Sequence, residues 1–321
     1  MFETLRLLKV VSRPEFLPAN CGSLVMGLAW SINPSSDLTP QLAILTALSF
    51  ANITVVSAIG AQLNTLSDHE LDSNEPRKQY LVQATNALGK PKIKSVIAVE
   101  FMICLALIVP FLLIQVKPVL LLLLTVAMFL TYAYNVPPLR FKSRSWLAML
   151  TLLLVLSILP VTFVYHSITS ELNLVFLLFL AGQAVTVYAI IIPTETRDYF
   201  SDKANGVNTL TVRIGLVKAS LLAMLMLGLG GAFMVTAFTL TLANKHPILS
   251  LFLLTIVAAD FIVLRNYKRL YSLSKEYAST KESLTAEGIV QLSANNPKWI
   301  TLVSQSIVFM SIILLVAKFL P

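Results

Sequence analysis

The stretch Asn64-Thr65-Leu66-Ser67-Asp68-His69-Glu70-Leu71-Asp72 closes an apolar run that begins near Gln41. Asn64, Asp68 and Asp72 are spaced four residues apart, so a helix would place their side chains on one face. Asp68 and Asp72 would then lie about 6 Å apart along the helix axis. Two carboxylates this close repel each other unless a positive charge lies near them, so this stretch is not simply the end of an apolar segment.

A second acidic stretch, Glu195-Thr196-Arg197-Asp198-Tyr199-Phe200-Ser201-Asp202, closes another apolar run. Asp198 and Asp202 repeat the four-residue spacing, and Glu195 adds a carboxylate one turn earlier. Either pair alone could be a solvated helix end. Carboxylates at a helix C-terminus lie at the unfavourable end of the helix dipole, however, so two such pairs indicate a functional site. We therefore expect the rest of the chain to bring the two acidic ends together.

The composition predicts an all-α, polytopic membrane protein. Of the 321 residues, 56% are hydrophobic and 12% are charged, and this charged share is about half that of an average soluble domain. The apolar residues form blocks about 20 residues long, the length that crosses a bilayer. We predict nine spans, at residues 14–32, 41–66, 95–115, 118–136, 146–166, 172–194, 216–242, 247–266 and 298–319.

The basic residues predict the orientation of these spans. Of the 24 Lys and Arg residues, 21 fall on one side of the predicted topology, and only Lys117, Lys245 and Lys318 fall on the other. An excess of Lys and Arg marks the cytoplasmic side. The N-terminus and both acidic stretches are therefore expected in the cytoplasm, and in a bacterium the membrane would be the inner one. The net charge of +8 then reflects orientation and anion binding rather than nucleic-acid binding.

Polar residues and glycines within the spans predict helix contacts. Glu100 and Asp260 lie in predicted spans near the cytoplasmic side, and we expect both to form hydrogen bonds inside the bundle. We expect Gly228, Gly230 and Gly231 to allow close approach of neighbouring helices.

The two acidic stretches have the donor atoms of a magnesium site. Carboxylate and amide oxygens suit Mg²⁺, which commonly takes one or two carboxylates and completes its shell with water and substrate phosphates. Basic residues follow the first stretch and the fourth span, as a bound diphosphate requires. A diphosphate held by cations is a good leaving group, because its developing charge is stabilised.

The sequence resembles the UbiA superfamily of intramembrane prenyltransferases over essentially its whole length. The two aspartate motifs carry this resemblance, together with three further segments: Arg13-Pro14, Tyr132–Lys142 and Gly206–Gly215. The resemblance implies one domain, 1–321, with nine transmembrane helices around a central cavity and a cytoplasmic cap. It implies Mg²⁺-dependent transfer of a prenyl group from a prenyl diphosphate to an aromatic quinone precursor or another lipid acceptor.

The resemblance also implies roles for individual residues. The expected Mg²⁺ ligands are Asn64, Asp68, Asp72, Asp198 and Asp202, and the four aspartates are the expected catalytic residues. The expected diphosphate ligands are Arg77, Lys78, Arg140 and Lys142. Tyr132, Tyr134 and Tyr188 are candidates to stabilise an allylic cation through their ring faces, the alternative being an aromatic belt at the membrane interface.

Three departures from the family pattern leave the acceptor open. Thr65 follows Asn64 where many members have Asp, the segment Asn74–Lys78 differs from the usual basic-proline cluster, and Thr194 replaces a frequent Asn. A terpene cyclase of the same superfamily is therefore an alternative. A cation-coupled transporter is a more remote one, since transporter sites usually lie near the membrane midplane and these carboxylates lie at helix ends. A purely structural membrane scaffold would not account for the two matched acidic pairs.

Overall fold

Every regular element among the residues that the structure describes is a helix. The computed structural model describes residues 2–34, 39–73, 75, 78–115, 117–243 and 246–320, and no strand occurs among them. In chain order the helices are α1 (Phe2–Val11), α2 (Leu17–Ser31), α3 (Pro40–Ser67), α4 (His69–Asp72), α5 (Gln79–Leu88), α6 (Lys90–Gln115), α7 (Pro118–Asn135), α8 (Trp146–Ile168, with a π-helical turn at Leu154–Ile158), α9 (Leu174–Ala204), α10 (Leu210–Ile214), α11 (Leu216–Leu242), α12 (Leu254–Thr280), α13 (Ser283–Ser293) and α14 (Asn296–Ala317). The predicted all-α class is confirmed.

Eight helical segments of the described residues are long and apolar enough to cross a membrane. They are α3, α6, α7, α8, α9, α11, and the segments Pro247–Thr280 and Ser283–Ala317. The predicted span 14–32 forms only the 15-residue helix α2, which is about 22 Å long and shorter than the roughly 30 Å hydrocarbon core. The polytopic membrane fold is therefore confirmed, whereas the count of nine spans is not.

Helices α9 and α11 pack closely against each other, and glycines explain why. A Cβ atom on Gly230 would lie 2.7 Å from the Gly182 carbonyl oxygen and 2.9 Å from the Thr186 nitrogen, so backbone fills the space. Gly231 faces the Asp260 carboxylate on α12, while Gly228 faces open space. The predicted close packing is confirmed at Gly230 and Gly231 and is wrong at Gly228.

The two larger of the four apolar clusters among the described residues fill the bundle. The larger joins α2, α8, α9, α11, α12 and α14 around Trp30, whose ring stacks on Phe179 with centroids 4.9 Å apart. The smaller joins α3, α6, α7 and α8 and includes Phe111 and Phe163. Since α8 contributes to both clusters, it holds the helix that carries the first acidic motif against the helix that carries the second.

The predicted hydrogen bond of Glu100 is confirmed. Its Oε1 atom accepts a bond from Gln62 Nε2 at 3.0 Å, and the same nitrogen lies 2.9 Å from Ser12 Oγ. These contacts tie α3 to α6 and to the segment after α1. Asp260 is buried, but its Oδ1 atom has no hydrogen-bond partner among the described residues, so the hydrogen bond predicted for it is not confirmed.

Candidate active site

The first motif lies across a break at the end of α3. The helix ends at Ser67, and Asp68 has φ −101° and ψ 4°, after which α4 begins. Helical hydrogen bonds continue through the break, from Asp68 N to Asn64 O at 2.9 Å and from Asp72 N to Asp68 O at 2.8 Å. The shared face expected of Asn64 and Asp68 is thus retained, although the predicted regular helix is interrupted.

Lys142 joins this face to the loop after α7. Its Nζ atom lies 2.6 Å from Asp68 Oδ1, 2.7 Å from Ser67 Oγ and 3.4 Å from Asn64 Oδ1. Burial lowers the pKa of the Lys142 amine below its ordinary value, although the Asp68 carboxylate opposes this shift. The carboxylate of Asp68 is therefore the main charge that keeps this buried amine protonated.

Arg140 is held close to the same carboxylate in an unusual backbone conformation. Its Nη2 atom lies 3.6 Å from Asp68 Oδ1, and its φ is 36°, a region that non-glycine residues rarely adopt. Its buried Nε has no hydrogen-bond partner among the described residues. Strained backbone and unused donors of this kind are typical of functional sites.

The loop that carries these two basic residues also contacts the segment after the second motif. The backbone nitrogen of Ser145 and its hydroxyl both donate to Asn208 O, each at 3.0 Å. One loop therefore links the end of α3 to the chain that follows α9.

Asp72 has its own basic partner. It is 4% exposed, and Lys78 Nζ lies 2.7 Å from its Oδ1 atom. Lys78, which is predicted to bind diphosphate, therefore lies beside the first motif. Arg77, predicted for the same role, lies outside the described residues.

The second motif lies on the last turns of α9, which continues without interruption past Pro193. Arg197 holds Asp198 through two parallel hydrogen bonds of 2.8 Å, from Nε to Oδ1 and from Nη2 to Oδ2. The Asp202 carboxylate interacts electrostatically with Asp198, with Asp68 of the first motif, and with Lys78, the partner of Asp72. The fold therefore brings the two acidic stretches to one site, as the sequence predicts.

Glu195 holds the end of α9 in place. Its Oε2 atom accepts bonds from the Thr211 nitrogen at 3.1 Å and the Thr211 hydroxyl at 2.8 Å, and its Oε1 atom accepts one from the Tyr188 hydroxyl at 3.1 Å. Thr211 is the second residue of α10, the short helix that follows the second motif. Glu195 is thus saturated by protein donors and positions the second motif.

We expect Glu195→Ala to destabilise the fold by about 3 kcal/mol, because it leaves the buried Tyr188 hydroxyl and the Thr211 donors without an acceptor. Thermal unfolding in detergent would measure the loss as a lower midpoint. Glu171→Ala is the control, since that residue is exposed. Equal midpoints for the two variants would contradict the positioning role.

The three tyrosines are placed differently. The Tyr134 hydroxyl interacts with Glu195, Asp68 and Asp202, so this residue belongs to the site. Tyr188 is fully buried beneath it and donates to Glu195. Tyr132 is 49% exposed and lies about 200° around α7 from Tyr134, so the structure does not bring it to the carboxylates.

Sequence reasoning missed three contributors to the site. Ser67, Ser145 and Thr211 bind Lys142, Asn208 and Glu195 respectively. Ser67 precedes Asp68 and could have been found from its place in the motif. The other two depend on loop conformation, for which the sequence gives no signal.

The donor set of the site suits a hard divalent cation. Among the described residues, no three His, Cys, Asp or Glu side chains are close enough together to hold a metal ion by themselves. Mg²⁺ needs only one or two carboxylates when phosphate and water oxygens complete its shell. The aspartates and Asn64 therefore fit Mg²⁺ bound together with a phosphate substrate.

Comparison with known families identifies the fold. The sequence model of the UbiA prenyltransferase family matches residues 21–279, which include both acidic motifs and the loop between α7 and α8. The chain belongs to the UbiA prenyltransferase family. Comparison with curated proteins gave no match.

Solved structures of UbiA proteins share the fold. A UbiA homolog from Archaeoglobus fulgidus bound to GPP and Mg²⁺ superposes with a TM-score of 0.63 at 17% identity, over 93% of this chain and 99% of that one. The same homolog bound to DMAPP and Mg²⁺ gives 0.62 at 18% identity, over 92% and 99%. A digeranylgeranylglyceryl phosphate synthase gives 0.60 at 16% identity, over 97% and 99%.

Proposed function

We propose that this UbiA protein is a Mg²⁺-dependent prenyltransferase that cleaves a prenyl diphosphate and transfers the prenyl group to a lipid-soluble or aromatic acceptor in the membrane. The observation that carries this proposal is that the loop after α7 contacts both motif regions: Lys142 Nζ lies 2.6 Å from Asp68 Oδ1, and the Ser145 hydroxyl donates to Asn208 O in the segment after the second motif. The charges of Asp68 and Lys78 also act on Asp202. The UbiA homolog bound to GPP or DMAPP with Mg²⁺ makes these prenyl diphosphates the first substrates to test.

The residues divide into two groups by charge. Asn64, Asp68 and Asp72 on one side, with Asp198 and Asp202 on the other, would hold Mg²⁺, which when bound stabilises the charge that develops on the leaving diphosphate. The basic group would bind and orient the diphosphate oxygens; it consists of Arg77, Lys78, Arg140 and Lys142. Of the three members that the structure describes, Lys142 has the least freedom, because it is only 11% exposed and contacts three oxygen atoms of the first motif.

The reaction requires stabilisation of an allylic cation. The bond between the allylic carbon and the diphosphate oxygen breaks with its electron pair leaving on the diphosphate. A carbon or oxygen of the acceptor then bonds to the allylic carbon, and the acceptor loses a proton. We infer that the ring of Tyr134 faces the developing cation, since its hydroxyl interacts with Asp68 and Asp202.

The proposed orientation places this site at the cytoplasmic face. The support is the excess of Lys and Arg on that side of the predicted topology. The position of both motifs at the ends of α3 and α9 favours an enzyme at the membrane surface over a transporter with a midplane site.

Metal removal tests the function directly. In membranes containing the protein, EDTA is expected to stop diphosphate release from labelled GPP or DMAPP, and excess Mg²⁺ to restore it. Membranes without the protein are the control. Release that continues at the same rate in EDTA would contradict the proposal.

The labelled product identifies the reaction. Transfer predicts a labelled lipid that forms only when an acceptor is present. A labelled cyclic hydrocarbon or alcohol, formed without any added acceptor, would instead show that the alternative, a terpene cyclase, is correct. Analysis of lipids from cells with and without the protein would then name the acceptor.

A further inference from the structure

Helix α12 carries a basic face where its apolar part ends. Three exposed residues, Arg265, Lys268 and Arg269, follow the apolar stretch that ends at Leu264. Positions i, i+3 and i+4 of a helix lie within about 100° of one another, so the three cations share one face. Ser272 continues that face by one further turn.

These side chains line a groove between α12 and α13 with a volume of about 770 Å³. Arg265, Lys268, Arg269 and Ser272 supply its polar lining, and Leu273 and Leu292 supply its apolar lining; none of these six residues is acidic. The groove therefore combines concentrated positive charge with a small apolar surface.

The three cations are not neutralised by the protein. Within the described part of the chain, none of them forms a salt bridge or a side-chain hydrogen bond. The basic residues of the active site differ in this respect, since Lys78, Lys142 and Arg197 each pair with an aspartate. The charge of the groove is thus available to an external anion.

The groove continues a face of α12 that is exposed along its apolar part. Leu254, Val257 and Phe261 on this face are 66%, 49% and 70% exposed, as expected for side chains that contact lipid tails. Pro247, where the span begins, and Arg265 are separated by about 27 Å along the helix, which is close to the thickness of the hydrocarbon core. The basic face therefore lies at the level of the lipid headgroups.

We propose that this groove binds the headgroup of an anionic phospholipid. The three cations would hold the phosphate oxygens, while Leu273 and Leu292 would contact the first carbons of the acyl chains. Basic grooves beside membrane helices are suited to such headgroups. Continuity with the lipid-facing stripe favours a lipid over free phosphate, since the acyl chains would extend along that stripe.

Only a small apolar cluster separates the proposed lipid site from the second acidic motif. Leu273 and Leu292 also pack against a cluster that contains Tyr199, with Phe200 beside it. These two aromatic residues lie between Asp198 and Asp202 in the sequence. Binding of a lipid to the folded state stabilises it, so we expect bound lipid to raise the unfolding temperature of this end of the bundle.

Native mass spectrometry of the purified protein in mixed micelles tests this proposal without any prenyl diphosphate. Phosphatidylglycerol is expected to be retained in preference to phosphatidylcholine. Since each basic residue near a membrane surface contributes about fivefold in affinity, the triple variant Arg265→Gln, Lys268→Gln, Arg269→Gln should weaken phosphatidylglycerol binding on the order of a hundredfold.

Two further variants test whether the preference depends on this groove or only on the total positive charge of the protein. Lys90→Gln, Lys92→Gln, Lys94→Gln removes the same charge from exposed residues at the start of α6. Lys92 points about 160° away from Lys90 and Lys94, so these three cations do not share one face, and the variant should keep the preference for phosphatidylglycerol. Arg265→Lys, Arg269→Lys retains the charge and should also keep it. The proposal is overturned if the triple groove variant binds like the native protein, or if either other variant loses as much affinity.

Discussion

Changing Asp68 to asparagine is expected to lower the rate of diphosphate release by about 10²–10³-fold, the loss typical of removing one electrostatic contact to a reacting group. The side-chain shape is retained, but the charge that meets Lys142 Nζ at 2.6 Å and Arg140 Nη2 at 3.6 Å is removed. Burial lowers the pKa of Lys142, so loss of the carboxylate also favours the neutral amine. This one substitution would thus remove the Asp68 carboxylate that binds the metal and weaken the positive charge of Lys142 that binds the diphosphate.

A neighbouring carboxylate supplies the control for this prediction. Glu70 is exposed on the helical turn after Asp68, and Glu70→Gln removes the same charge two residues away. We expect its initial rate to stay within about twofold of the native rate, since an exposed charge is screened by water and salt. Rates would be measured in proteoliposomes with saturating Mg²⁺ and GPP, and an unfolding scan would confirm that both variants are folded. Equal rates for the two variants would refute the role assigned to Asp68.

The meeting of the two motifs was predictable because it depends on spacing and topology alone. Four-residue spacing fixes the shared face of Asn64 and Asp68, which the structure confirms through their common contact with Lys142. An even number of crossings between the motifs puts both on the same side of the membrane. Neither inference needs any knowledge of how loops fold.

The partners of each carboxylate were only partly predictable. The sequence indicates that Lys78 and Lys142 lie near the acidic stretches, but it does not show that Lys78 pairs with Asp72 while Lys142 pairs with Asp68. That choice depends on the loop after α7 and on the left-handed conformation of Arg140. Such a conformation is stabilised by tertiary contacts, so local sequence preference does not reveal it.

The ends of the helices were the least predictable part of the fold. Apolar length placed the sixth span at residues 172–194, yet α9 continues to Ala204, because polar residues can extend a helix once it leaves the bilayer. The first predicted span, by contrast, is longer than its helix. Pro14 begins a separate 3₁₀ turn, and α2 starts only at Leu17. Hydrophobicity marks which residues avoid water, whereas hydrogen bonding and proline decide where a helix begins and ends.

The second large effect is expected from a substitution at the contact between α9 and α11, which should lower the stability of the fold. Gly230→Ala places a methyl group 2.7 Å from the Gly182 carbonyl oxygen and 2.9 Å from the Thr186 nitrogen. Both are backbone atoms, which cannot move away by a change of rotamer, so the helices must separate. We expect this to lower the free energy of unfolding by about 3 kcal/mol. Since α9 carries the second acidic motif, activity should fall together with the unfolding midpoint measured in detergent.

A glycine on the same helix provides a matched control for the packing argument. Gly228→Ala adds the same methyl group two residues away, where no atom lies within 4 Å. It should leave the unfolding midpoint unchanged or raise it slightly, because alanine is the better helix former. The two substitutions have nearly the same effect on the unfolded chain, so the difference between their midpoints reports the contact with Gly182 and Thr186. If Gly230→Ala melted as high as Gly228→Ala, close packing at this position would not be what holds α9 against α11.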